Sequence, residues 1–165
     1  MTTHASSTQS RWLALSTVGT LAGVAGGLME VFWIMLYQSL SGHDAAIVAK
    51  GVTYAVFPDL AAAPISVTLG LIIHMVLAVG LGIVIAIAIP LVLPRVAGTM
   101  LEPVLVVLAL VGVWLMNFFV LLPMISPEFV HIVPLPVSFV SKSLFGFAAA
   151  FIFWMARRRA AAKEQ

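Results

Sequence analysis

Of the 165 residues, 62% are hydrophobic and 8% are charged; soluble domains carry about a quarter charged residues, so composition excludes a soluble globular protein and points to a single-domain, all-α integral membrane protein. The absence of cysteine excludes disulfides, iron–sulfur clusters and thiolate metal sites. The formal net charge is +2, but the basic residues sit beside apolar runs where they set topology, so no nucleic-acid partner is expected.

Residues 1–12 form a polar tail that carries His4. A bilayer core of about 30 Å takes roughly 20 apolar residues as helix, and the first apolar run, residues 13–40, satisfies that length. It also exceeds the roughly 7 to 15 residues of a signal-peptide core, so it reads as a span. Gly19, Gly23 and Gly27 recur every four residues and share one face, where small side chains admit another backbone. Glu30 continues that face one turn on, about ten residues or roughly 15 Å from the end of the span.

Residues 41–64 form the longer of two loops on one side. Within it, "DAAIVAKGVTYAVF" spaces Ile47, Val48, Val52 and Val56 along one helical face, which predicts a short interfacial helix. The second span, residues 65–89, sets Gly70, His74, Ala78 and Gly82 on one stripe, turning His74 toward protein at a depth similar to that of Glu30. The third span, residues 104–122, carries Asn117; the fourth, residues 137–155, carries Lys142 and Gly146. All nine prolines fall outside these runs, Pro90 just past the second, which predicts four uninterrupted helices. The proline-rich, apolar segment between spans three and four is expected to lie against the interface or the bundle top, and a basic tail closes the chain at 157–165.

Lysine and arginine near span ends favour the cytoplasmic side. Arg11, Arg95, Arg157, Arg158, Arg159 and Lys163 share one side, against Lys50 and Lys142 on the other. The expected topology is therefore a four-helix bundle with both termini cytoplasmic, multi-pass in a membrane of the bacterial inner-membrane kind. Trp12 and Trp154 then fall at the inner interface, Tyr37 and Tyr54 near the outer one.

Each span contributes one strongly polar group: Glu30, His74, Asn117 and Lys142. A charged side chain in hydrocarbon costs about 2.5 to 3.5 kcal/mol even on lenient scales, so such groups face the bundle interior or water. The four are expected to form a polar cluster in the outer half, with Glu30 and His74 deepest and able to exchange protons, since imidazole titrates near neutrality. The plainer reading is a static interhelical contact for Glu30 and His74, an interhelical hydrogen bond for Asn117, and a Lys142 that snorkels to the interface. His43, Asp44 and His131 in the loops are weak candidate metal ligands without a ligand motif. A six-coordinate haem needs two axial ligands, and the spans hold one histidine, so no cofactor is expected.

Phosphate loops, metalloprotease helices and nucleophile elbows are missing from the sequence. The expected role is a non-enzymatic accessory or assembly component of a membrane complex, with the bilayer and a membrane-protein partner or second copy as neighbours. The runner-up is a small proton-linked transporter or channel using Glu30 and His74. A third reading is metal or haem binding at the outer face.

Overall fold

The computed structural model describes residues 3–162, leaving out the side chains of 3–8 and 161. His4 has no described side chain and Lys163 lies outside the described residues, so the readings placed on them stay with the sequence. Helices α1 (Thr3–Leu40), α3 (Ser66–Val92) and α7 (Leu135–Ala161) are three long rods. The third rod in chain order, between α3 and α7, is composite: α4 (Glu102–Met116), a π-helical turn over Asn117–Leu121 and α5 (Leu122–Ile125) run on without a break. All four are long and apolar enough to cross a membrane, and no strand occurs among the described residues.

The helices overrun the predicted spans where the sequence places prolines outside them. α3 continues through Pro90 to Val92, and the third rod continues through Pro123 to Ile125. Proline removes one donor per helix interior, and in each case that loss is absorbed locally. Near Pro90 only the last turn is affected, and Leu93 N–H closes it on the Ile89 carbonyl at 2.8 Å. Ahead of Pro123 the helix widens, and Leu122 N–H reaches five residues back to the Asn117 carbonyl. Pro103 and Pro136 sit in the first turns of α4 and α7, where no intrahelical donor is required.

α1 ends in a Schellman motif. Gly42 takes φ 73°, and the amides of Gly42 and His43 fold back on the carbonyls of Ser39 and Gln38. The chain then enters α2 (Ala46–Val56), whose first amide is held by Asp44 Oδ1 at 2.9 Å. α2 is buried on two sides: Ala49 and Thr53 face α3, and Gly51 faces the second loop. Gly70 of α3 lies so close to the Ala49 carbonyl that no Cβ fits between them. Thr53 Oγ1 donates to the Ser66 carbonyl at 2.5 Å, joining α2 to the first residue of α3. α6 (Phe129–Ile132), in the second loop, presses Phe129 and Ile132 on Gly51. The two loops therefore pack on each other across one end of the bundle, here termed the α2 end.

α1 lies between α3 on one side and α7 on the other; the third rod leans on α7 and scarcely meets α3. The order in space is α3, α1, α7, α4, an open arc rather than a closed ring. Glycines explain the close pairs. Gly19 and Gly23 meet Gly82, Ala78 and Val79 backbone to backbone, so the small faces of the first two spans face each other. Gly26 turns the other way and makes room for the ring of Phe145 in α7. Toward the termini the arc is filled by Ala22, Ile85, Ala86, Ile89, Val106, Leu110, Phe145, Ala149 and Phe153.

Candidate functional site

Where α3 and the third rod diverge, the α2 end holds a cavity of about 470 Å³. Glu30, His74, Asn117 and Lys142 all line it, one from each long rod, while α2 roofs it with Val48, Val52 and Val56. The remaining lining is overwhelmingly aliphatic and aromatic. Such a volume lies within the range of about 300 to 1,000 Å³ usual for small-ligand sites.

Glu30 is the hub. Its residue is 7% exposed, one turn from the Gly26–Gly27 pair that brings α7 and α3 against α1. Lys142 Nζ lies 2.8 Å from Glu30 Oε1, and His74 Nε2 lies 3.9 Å from Oε2. The close approach of α1 and α7 therefore delivers an ammonium to the carboxylate. Snorkelling of Lys142 is overturned: its ammonium turns inward to the carboxylate and rests 4.9 Å from the centre of the Phe145 ring. A carboxylate and a cation–π surface within reach outweigh the distant interface.

His74 Nε2 also lies 3.3 Å from the Gly27 carbonyl. A carbonyl oxygen only accepts, which assigns the proton of neutral His74 to Nε2 and leaves Nδ1 as the ring acceptor. Asn117 departs from its expected role: among the described residues its side chain makes no interhelical hydrogen bond, and its amide borders the cavity at the first residue of the π turn. π turns inside α-helices occur frequently at functional sites, because the widened turn displaces side chains from the regular face.

Trp114, one turn before Asn117, fixes that wall. Its Nε1–H donates to Ser138 Oγ at 3.0 Å, and its ring meets Phe139 edge-on at 5.1 Å. Ser138 Oγ donates onward to the Leu135 carbonyl at 2.9 Å. Trp33 Nε1–H bonds the Val137 carbonyl at 3.0 Å, so two indoles tie the start of α7 to its neighbours on both sides.

At the termini end lies a second polar contact that the sequence reading missed. Glu102, 8% exposed, accepts from Gly98 N–H at 2.7 Å and faces Arg157 Nε at 3.4 Å. Arg157 also donates to the Thr99 carbonyl. Gly98 takes φ 80°, the left-handed region open to glycine, to bring its amide round. The readable signal was Glu102 immediately before Pro103, an acid where a helix begins. Arg157, read as a topology anchor alone, thus pins α7 to the 93–101 turn, while Arg158 stacks 4.2 Å from the Trp154 ring centre.

The loop residues His43, Asp44 and His131 do not assemble: among the described residues no three His, Asp or Glu converge as a metal site. Asp44 is engaged by Ala46 N–H at 2.9 Å and by Lys50 at 3.7 Å. Gly146 packs on Val107 of α4 closely enough that an added Cβ would lie tight against the Val107 Cα. Comparison of the chain with protein-family models, curated proteins and solved structures gave no match.

Proposed function

We propose that this chain is a non-enzymatic accessory component of a membrane, and that its working part is a one-sided ligand-binding cavity rather than a path across the bilayer. The carrying observation is the cavity floor. Glu30 and Lys142 sit on it as a contact ion pair, while the half of the bundle toward the termini is filled with side chains, Phe145, Leu110 and Val106 among them fully buried. A site confined to one half of the bundle, with its charges compensated, suits binding better than conduction. The basic residues around the termini support a reading in which that end faces the cytoplasm and the α2 end the outside, with α2 at the outer interface.

The test uses purified protein in vesicles loaded with a pH-sensitive dye. Proton leak equal to that of protein-free vesicles, and unchanged by Glu30→Gln, is the expected result. Leak that depends on Glu30 would install the second reading, proton-linked transport, which the Glu30, His74 and Lys142 cluster favours. Because the chain has no cysteine, single cysteines report sidedness directly. Ser41→Cys should react with an impermeant maleimide added to intact cells, and Thr99→Cys only after permeabilisation.

A further inference from the structure

The chemistry of the cavity narrows what it holds, given the reading of that cavity as a binding site. Three observations bear on the occupant. First, the charges are already matched: the Lys142 ammonium is on the Glu30 carboxylate at 2.8 Å, so a charged headgroup would have to break that pair or bring its own counterion into a low-dielectric site. Second, Asn117 and a neutral His74 on the lining retain hydrogen-bonding capacity. The Asn117 amide offers both a donor and an acceptor, and His74, with Nε2–H on the Gly27 carbonyl, offers Nδ1 as an acceptor. Third, the arc of helices is open between α3 and the third rod, the flank that faces acyl chains, and Leu77 on that rim is 64% exposed.

We propose that the cavity is a lateral binding site for an uncharged amphiphile: a single apolar chain lying between α3 and the third rod, and a hydroxyl- or carbonyl-bearing headgroup seated against Asn117 and His74. The hydroxyl donates to His74 Nδ1 and a carbonyl or second hydroxyl accepts from the Asn117 amide. The ion pair beneath remains intact and supplies a polar floor without attracting net charge. A partner helix is the less suitable occupant, because the volume is that of a small-molecule site and α2 roofs it.

Trp114 lines the same cavity, so its fluorescence reports occupancy. Three single-chain probes carrying one and the same dibrominated acyl chain would be titrated into purified protein in detergent: a monoacylglycerol, an anionic lysophosphatidylglycerol and a zwitterionic lysophosphatidylcholine. The component of quenching that belongs to Trp114 is the part lost in Trp114→Phe. Saturable quenching of that component by the monoacylglycerol, at a half-effect concentration several-fold below that of either charged probe, is the expected result. Asn117→Leu should raise that concentration about tenfold, the value of one hydrogen bond to a ligand. Leu77→Trp, on the exposed rim where folding is not at stake, should weaken it by obstructing the mouth.

Preferential saturable binding of a charged probe would overturn the headgroup assignment while leaving the binding reading in place. Equal, non-saturating quenching by all three would mean bulk lipid contact only and would overturn both. A half-effect concentration for the monoacylglycerol unmoved by both Asn117→Leu and Leu77→Trp would place the site elsewhere.

Discussion

The two ends of the bundle solve opposite problems with the same helices. Toward the termini, α1 and α3 touch backbone to backbone through Gly19, Gly23 and Gly82, and large side chains such as Phe145 and Leu110 fill the remaining space. Toward α2 a gap lies between α3 and the third rod, and polar groups from all four rods line it. In lipid there is no hydrophobic drive between helices, so association rests on packing and interhelical polar contacts. One end relies chiefly on packing, with Glu102 and Arg157 fastening its rim, and the other on charge and hydrogen bonding around a cavity. A site that must admit a ligand cannot also be a jigsaw, and the glycine seam supplies the rigidity that allows the far end to stay open.

That contrast can be broken by substitution. The largest effect is expected at the open end, where Lys142→Met leaves the Glu30 carboxylate without its counterion. Removing one partner of a buried pair costs about 3 to 5 kcal/mol. The double variant Glu30→Gln/Lys142→Met should recover most of it, measured as denaturant unfolding in mild detergent. A double variant as unstable as the single one would show that the pair is not the source of the loss.

At the packed end the expected failure is steric. Gly23→Ala places a Cβ against the Ala78 carbonyl and Val79 Cα, both backbone, so the helices must separate; overpacking of this kind costs about 1 to 3 kcal/mol. A melting temperature equal to that of the unaltered protein would contradict the contact. Gly80→Ala, in the facing helix α3 with open space around it, should be neutral or slightly stabilising.

A smaller effect, about 1 to 2 kcal/mol, is expected of Thr53→Val, which strips the Ser66 carbonyl of its bond from a fully buried hydroxyl. Hydrogen exchange at the start of α3 should rise while exchange in the glycine seam does not. The smallest belongs to the exposed Asp44–Lys50 pair at 3.7 Å. Lys50→Ala should shift stability by no more than about 0.5 kcal/mol, and a larger shift would mean that α2 depends on surface charge rather than on its buried face.

Four long apolar runs were legible because length and hydropathy alone fix them. The glycine spacing was legible too, as a face that admits another backbone, since four-residue recurrence maps onto one helical face; which helix it meets was not. What escaped has a common cause: features that depend on two faces at once or on a third element. Gly26 serves α7 while its neighbour Gly27 serves α3, and a single stripe cannot express that division. Lys142 was left between the polar cluster and a snorkelling alternative because its depth was readable and the Glu30 oxygen 2.8 Å away was not. The Glu102–Arg157 contact joins residues 55 positions apart, across an arrangement of rods that periodicity does not disclose. Asn117 was assigned a partner helix by its residue type, whereas its surroundings are set by a π turn that hydropathy does not register.

That π turn also divides the third rod into two phases. It carries one residue more than an α-helical turn would, so residues beyond Leu121 are rotated by roughly 100° from where the α4 pattern would put them. A one-residue deletion within 117–121 would turn the bulge into an ordinary α-helical turn and leave the residues beyond it, Pro123 included, at their present azimuth; the same deletion in α4 would misphase the entire contact with α7. Length variation in this rod is therefore tolerable at a single turn, the one that borders the cavity.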